Sequence, residues 1–444
     1  MDLGETLSPF FLLTAKFIPL RLLFYYLLNE GYAMDEDVKK LSAFAVIALA
    51  TILSGANHTC CKAPVQATCY EEDCSCYYCL GPDLVNPPVR PKTCDGDIAI
   101  TIAGLAWRAE QDGMEYAIRN RVVASDTDSG NHMLNNLIEA KYETPAYHWE
   151  WGFKLGLGYA GCHDGWDVGA VWTHFKDRSS THIEEEKSQN GSLLPLWSGF
   201  QAQNAGDAPI LFAEDIVTNW KLNLNLIDIE LGREFWTSTY LSIRPHMGLR
   251  IAYIDQDFDL THRGGSWSIA SPQCPLNDFV HLENDFKGVG VRTGLDTTWN
   301  VGCGWGFYGN FALSAVYGKF QIKHRENVRA ALAPFSKIRL LETNESFRVS
   351  RAMADLGLGV QWSTFFCNCC YAFTAMLGWE QHFFFHQNQM WRVVRQNGSN
   401  SFTDLAETQK NSLAIFNNSG ENIYHQRRGN LSTEGVTLRI NFAF

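Results

Sequence analysis

The chain closes on Glu434-Gly435-Val436-Thr437-Leu438-Arg439-Ile440-Asn441-Phe442-Ala443-Phe444. Val436, Leu438, Ile440, Phe442 and Phe444 fall on one side of an extended backbone; Thr437, Arg439 and Asn441 fall on the other. This is the period of a β-strand, whose successive side chains point to opposite faces. A strand with one apolar and one polar face divides an apolar medium from a wet one. The fold therefore turns on where else the pattern recurs.

It recurs along the body of the chain. In 153–159, Phe153, Leu155, Leu157 and Tyr159 oppose Lys154, Gly156 and Gly158. In 219–226, Trp220, Leu222, Leu224 and Leu226 oppose Asn219, Lys221, Asn223 and Asn225. In 246–253, Met247, Leu249, Ile251 and Tyr253 oppose His246, Gly248 and Arg250. In 288–301, Val289, Val291, Leu295 and Trp299 oppose Arg292, Gly294, Asp296 and Asn300. Segments 355–364 and 371–380 set Leu356, Leu358, Val360, Leu377 and Trp379 against Asp355, Gly357, Gly378 and Glu380. Segments 98–108, 114–124, 165–175 and 306–321 show noisier versions.

A soluble sandwich also alternates, but three features separate this chain from one. The runs are longer than the usual ~5–6 residues of a globular strand. Short turns at 161–165, 232–233, 302–304 and 367–369 alternate with long polar connections at 125–147, 177–214, 255–285, 323–346 and 386–432. The polar faces carry Gly, Asn and charges of both signs, suited to a wet interior. In lipid, only a closed barrel satisfies the backbone of β-strands. The expectation is an all-β, antiparallel transmembrane β-barrel over 97–444. Eleven segments are visible and single-chain bacterial barrels favour even numbers. About 12 strands are expected, 10 to 16 being open, with the missing one in 125–147 or 387–396. Trp149, Trp151, Tyr159, Trp166, Phe235, Trp236, Trp299, Trp305, Phe307, Phe365, Phe366 and Tyr371 suggest an interfacial girdle by the short turns. An alternating strand ending on an aromatic resembles the signal by which bacterial outer-membrane barrels are recognised for insertion. That gives Val436, Leu438, Ile440, Phe442 and Phe444 this role and the barrel-assembly machinery as a partner.

Composition excludes several classes. Of 444 residues, 36 are Lys or Arg and 48 Asp or Glu, a formal net charge of −12, which lacks the basic footprint a nucleic-acid binder needs. Aromatics at 13% and charged residues at 19% exclude intrinsic disorder. Beyond the N-terminal region no apolar run approaches the ~20 residues of a membrane helix.

Residues 34–56 read as a secretory signal peptide: Lys39 and Lys40, an apolar run from Leu41 to Leu53, then small residues at Ser54-Gly55-Ala56. Asn57-His58-Thr59 before Cys60 argue against a lipoprotein. Translation is expected to begin at Met34, with residues 1–33 outside the protein; the rival reading is a signal anchor over the apolar stretch 9–28, which Lys16, Pro19 and Arg21 interrupt. Residues 57–96 form a cysteine-rich segment. Cys60, Cys61, Cys69, Cys74, Cys76, Cys79 and Cys94 lie there, among 13 Cys in all. After export such a cluster reads as disulfides; the tight spacing of Cys74, Cys76 and Cys79 keeps zinc as the rival. The odd count leaves at least one thiol unpaired within the chain.

The run Trp151-Gly152-Phe153-Lys154-Leu155-Gly156-Leu157-Gly158-Tyr159, with His163-Asp164-Gly165-Trp166-Asp167 after it, resembles the opening hairpin of the Legionella-type, MOMP-like major outer membrane proteins, also found in chlamydia-related bacteria. Gly378-Trp379-Glu380, Asn388-Gln389 and Gly435-Val436-Thr437-Leu438-Arg439 are similar too. The resemblance covers roughly 97–444. It implies a pore-forming barrel without catalytic residues. The cysteine-rich segment is similar to disulfide cross-linked envelopes, which implies other Cys-rich envelope proteins as partners.

Competing chemistry is weak. Adjacent residues in a tight turn, as in Cys162-His163-Asp164, cannot face one another as a triad. Asp255-x-Asp257-x-Asp259 lacks the Gly and Glu of an EF-hand loop, so no metal site is assigned. No Gly-x-Ser-x-Gly elbow is present. Asn190-Gly191-Ser192 matches a glycosylation sequon but reads as a loop. No enzyme activity and no cofactor are expected. The expected function is an outer-membrane porin for passive diffusion of small hydrophilic solutes and ions. The alternative is a structural or adhesive surface protein cross-linked by disulfides. Lys154, Lys221, Arg250, Arg292, Asp296, Asp355, Glu380 and Arg439 are the candidate pore-lining residues. For each, a salt-bridged wall position competes with a role in selectivity. Outer-membrane lipid and lipopolysaccharide are expected partners, and a homo-oligomer is open.

Overall fold

Among the described residues seventeen elements follow one another: β1 (Asp97–Gln111), β2 (Ala117–Asn120), β3 (Lys141–Glu143), β4 (Trp149–Ala160), β5 (Trp166–Glu184), β6 (Ser192–Pro195), β7 (Asp215–Arg233), β8 (Phe235–Trp236), β9 (Leu241–Arg263), α1 (Ser266–Ala270), β10 (Leu276–Gly302), β11 (Trp305–Ala330), β12 (Lys337–Phe366), β13 (Tyr371–Asn388), β14 (Trp391–Gln396), β15 (Glu421–Gln426) and β16 (Gly429–Ala443). The computed structural model describes residues 86, 88–90, 97–120, 137, 139–161, 165–185, 192–200, 211–270, 275–332, 335–366, 371–396 and 421–444. The extension 1–33, the signal peptide and Cys60, Cys61, Cys69, Cys74, Cys76, Cys79 and Cys94 lie outside them.

Ten strands form one antiparallel circuit, β1-β4-β5-β7-β9-β10-β11-β12-β13-β16, which closes where β16 pairs β1 from Ala99↔Ala443 to Gln111↔Leu431. Closure leaves no unpaired edge in lipid. The short β8 adds to β9 outside the circuit. The expected 12 strands are thus corrected to ten. Of the eleven segments with a strand pattern, ten are wall strands, and the described part of the eleventh (114–120 of 114–124) is not. Gly113, at φ +78°, ends β1, and the chain folds over the barrel mouth. Met114, Tyr116 and Ala117 are apolar because they are buried in that mouth, not because they meet lipid. Their strand, β2, pairs β3 and β6 in a small separate sheet. The intervals suspected of hiding another strand hold β3 and β14, and β14 pairs only β15.

The short turns lie together at one end. Between β10 and β11, Gly302 pairs Trp305, leaving Cys303 (φ 52°) and Gly304 (φ 79°) as the central residues. Two positive φ values meet the requirement of a type I′ hairpin, whose twist matches the strands. Trp299, Trp305, Phe307, Phe365, Phe366 and Tyr371 are exposed at this end, as a girdle requires. Trp149 and Trp151 are a correction: they sit at the far end of β4, where Trp149 packs edge-on against Trp379. They belong to a second aromatic level.

The wall has two polarities. On β9, Ile243, Met247, Leu249, Ile251 and Tyr253 point outward, while Arg244, His246 and Arg250 are buried inward. Past Tyr253 the phase continues but the chemistry exchanges. Asp255, Asp257, Asp259 and Thr261 point out, and Ile254, Phe258 and Leu260 are buried inside. The same exchange occurs on β10 between Val289 and Lys287, on β11 between Tyr317 and Lys319, and on β7 between Ile227 and Asn225. From Ile243 to Tyr253, about ten steps of roughly 3.3 Å tilted some 40° stand about 25 Å tall, the height of an outer-membrane apolar band. Above it the strands continue into water, so much of the polar sequence expected as loops (255–285 and 323–346) is barrel wall. This upper part encloses a conventional core that includes Trp107, Trp197, Trp220, Trp267, Phe258, Phe286 and Phe320, all fully buried.

Candidate functional site

Inside the apolar band, strand alternation aims charges at one another across the lumen. Arg244 reaches Asp167 through Nη2–Oδ1 (2.6 Å) and Nε–Oδ2 (3.1 Å), Asp296 through Nη1 (2.9 Å) and Glu230 through Nη1 (3.3 Å). Arg292 donates from Nε to Glu230 Oε1 (2.9 Å) and from Nη1 to Asp355. Arg250 clasps Asp228 at 2.6 and 2.7 Å and meets Asp355 at 2.8 Å. His382 Nδ1 lies 2.6 Å from Asp355 Oδ1, and its Nε2 lies 3.6 Å from Glu380. Glu380 accepts from Lys154 Nζ (2.5 Å) and Arg439 Nη2 (2.8 Å). One continuous ladder thus runs from β5 through β7, β9, β10, β12 and β13 to β4 and β16. With Arg90, which joins Asp167 (3.7 Å) to Glu234 (2.9 Å), seven carboxylates face six cations among the described residues, with His246 and His382 between them.

Of the candidate pore-lining residues, Lys154, Arg250, Arg292, Asp296, Asp355, Glu380 and Arg439 point inward and join this ladder. Lys221 does not, which is a correction. Its side chain is 47% exposed on the outside of β7 and lies 3.5 Å from Asp259. The segment 219–226 lies above the apolar band, so Trp220, Leu222, Leu224 and Leu226 face the upper core instead of lipid. Alternation shows which residues share a face, not which medium the face meets. Arg244, Asp228, Glu230 and His382 escaped the sequence reading. Asp228 and Glu230 continue the Trp220–Leu226 phase, and that change from apolar to acidic within one phase was the available signal.

A cavity of about 280 Å³ remains around the ladder, lined also by Thr101, Asn310, Gln361, Thr374 and Asn441 towards the short-turn end. Above it Trp107 packs on two of the lining residues, Lys154 and His382. The indole donates to Thr437 Oγ1 (3.1 Å), lies under Lys154 Nζ (4.9 Å) and packs against His382 at 4.7 Å.

A second polar group sits in the upper core, above the band. Glu326 accepts from Ser198 Oγ (2.6 Å) and from Gly199 N (2.9 and 3.0 Å), tethering the strap that carries Trp197 and Phe200 into the mouth. Asp278 meets His262 Nδ1 at 3.0 Å, and His262 stacks on Trp267. Burial pushes Asp278 up to about 7. Burial and the neighbouring Asp278 push Glu326 up to about 8, and burial lowers His262 to about 4. Among the described residues no group of three or more His, Cys, Asp or Glu could hold a metal.

Residues 94–444 match the family described as the Legionella pneumophila major outer membrane protein precursor. No curated protein matches the chain. Among solved structures, the outer membrane protease OmpT from Escherichia coli is 8% identical, covering 78% of this chain and 96% of its own (TM-score 0.26). A TodX monoaromatic hydrocarbon channel variant is 12% identical, with 81% and 92% coverage (TM-score 0.26). A Pseudomonas aeruginosa FadL homologue is 7% identical, with the same coverage (TM-score 0.20). Likenesses this slight carry no argument about activity.

Proposed function

This chain belongs to the Legionella major outer membrane protein family and is an outer-membrane β-barrel, and from that premise we propose that it is a narrow, charge-gated channel. It passes small hydrophilic solutes and ions, not bulky ones. The observation that supports this reading is the polar cavity in the band, threaded by an ion-pair ladder and roofed by Trp107 and the upper core. Selectivity in pores comes from width and lining charge, and both are restricted here. Passage then requires the ladder and the roof to rearrange, or a file of water through the gaps between them. Liposome swelling with solutes of graded size tests this. Slow entry of the smallest solutes and exclusion of disaccharides are expected; rapid disaccharide entry, or none of any solute, overturns it.

A second reading, surface presentation, is supported by the upper walls of β9 to β12, which rise above the band with polar outer faces. Disulfide linkage through Cys60–Cys94 is part of that reading, and those residues lie outside the described ones. Non-reducing electrophoresis of cell envelopes tests it: a reducible ladder of higher mass is expected, and a lone monomer removes it. We propose no catalysis, on the sequence grounds that no nucleophile elbow is present and Cys162-His163-Asp164 falls within a single turn.

A further inference from the structure

The outer face of β10, β11 and β12 changes from apolar to polar at one level, and that level is a row of cations. Lys287 pairs Lys319 in register, and Lys319 pairs Arg348. All three are exposed. Directly below lies Val289 beside Tyr317, then Val291 beside Ala315, the top of the apolar wall. The cations therefore stand at the upper edge of the band, at the long-loop end, which in outer-membrane barrels is the outer surface.

Like charges directly opposite each other in a sheet destabilise it unless an anion intervenes. Higher on the same strands the chain supplies those anions itself. Lys323 pairs with Glu283, and Arg325 lies 3.6 Å from both Glu283 and Glu342. At the boundary row, neither Lys319 nor Arg348 forms an ion pair with any of the described residues. Lys319 and Arg348, at the depth where lipid headgroups lie, are thus left without an internal counter-ion among the described residues. Neighbouring strands are about 4.8 Å apart, so the row spans roughly 10 Å, wide enough for more than one phosphate. Exposed Tyr317 and Val289 below suit the saccharide edge and acyl chains of the same molecule.

We propose that Lys287, Lys319 and Arg348 form a binding row for the phosphates of a phosphorylated glycolipid, the lipopolysaccharide of the outer leaflet, whose acyl chains lie on the wall beneath. Arg348 supplies bidentate contact and the lysines supply point charge. This inference does not depend on the channel reading; it depends only on the barrel and its orientation.

The test uses full-length protein refolded in detergent and titrated with lipopolysaccharide, with enzymatically dephosphorylated lipopolysaccharide and with inorganic phosphate, bound glycolipid being counted by native mass spectrometry. The wild type should hold lipopolysaccharide. The double variant Lys319→Glu with Arg348→Glu, and the dephosphorylated ligand, should each weaken binding about tenfold or more. Millimolar inorganic phosphate should not displace it. Lys221→Glu, three strands from Lys319 and higher on the wall, where Asp259 already serves as counter-ion, should bind as the wild type does. Equal binding by the double variant, or displacement by free phosphate, overturns the proposal. If charge reversal impairs folding, Lys319→Gln with Arg348→Gln carries the same prediction at smaller amplitude.

Discussion

Arg250 is 1% exposed and holds two carboxylates from different strands, Asp228 on β7 and Asp355 on β12. Removing one partner from a buried ion pair leaves the other charge uncompensated, which costs about 3–5 kcal/mol. Arg250→Met should therefore lower the urea midpoint of the refolded barrel markedly, and a further Asp228→Asn should recover part of that loss. Lys221 carries the opposite expectation: Lys221→Glu should leave solute permeation unchanged, since the residue stands outside the wall. Glu326 and Asp278 make stability depend on pH. Their carboxyls keep protons in the native state, to about 8 and about 7, that the unfolded chain releases near its ordinary values. Where the native state binds more protons, stability falls as pH rises. His262, lowered to about 4, acts in the opposite sense, but only between about 4 and its ordinary 6.5. Between pH 6.5 and 8, thermal stability should fall in the wild type and fall less in Glu326→Gln. An equal slope in both would remove Glu326 from this role. At this scale, inward charge was legible in the sequence wherever the strand lies in the apolar band, as for Lys154, Arg292 and Glu380. It was illegible for Lys221, because the medium outside the strand had changed.

At the scale of the element, strand identity was legible almost throughout. Ten of the eleven alternating segments are barrel strands, and the closing strand from Glu434 pairs both β1 and β13. The exception, the described part 114–120 of the segment 114–124, shows the limit: apolar residues of a strap buried in the mouth mimic a lipid-facing strand. Strand ends were also illegible, because polar residues at 255–263, 276–287 and 319–330 look like loop while the backbone continues in register. Close approach between strands explains some inward glycines. A Cβ at Gly248 would lie 1.8 Å from the Ile229 carbonyl oxygen, and one at Gly290 would lie 2.0 Å from that of Ala315. Gly248→Val should force β7 and β9 apart locally and cost about 1–3 kcal/mol as overpacking. The expected readout is less of the heat-modifiable folded form on gels. A yield equal to the wild type would mean that the strands have room there.

The described residues form a barrel with two solvents outside and two interiors. Within the band, lipid lies outside and ion pairs inside; above it, water lies outside and an aromatic core inside. Alternation stays in phase across the boundary, which is why a single phase can read Trp220–Leu222–Leu224–Leu226 and then Asp228–Glu230. The sequence therefore conveyed closure, strand phase and membrane, but not the depth at which the faces exchange or the filled mouth that follows from it. In the proposed channel, the ladder from Asp167 to Glu380 closes down the resting lumen. Single-channel recording in planar bilayers tests it most directly, comparing the wild type with Arg292→Ala/Asp355→Asn beside a wide sixteen-stranded porin. The prediction is small or rare steps for the wild type and larger, longer openings for the variant. Steps in the wild type as large as those of the wide porin, unchanged in the variant, would contradict it.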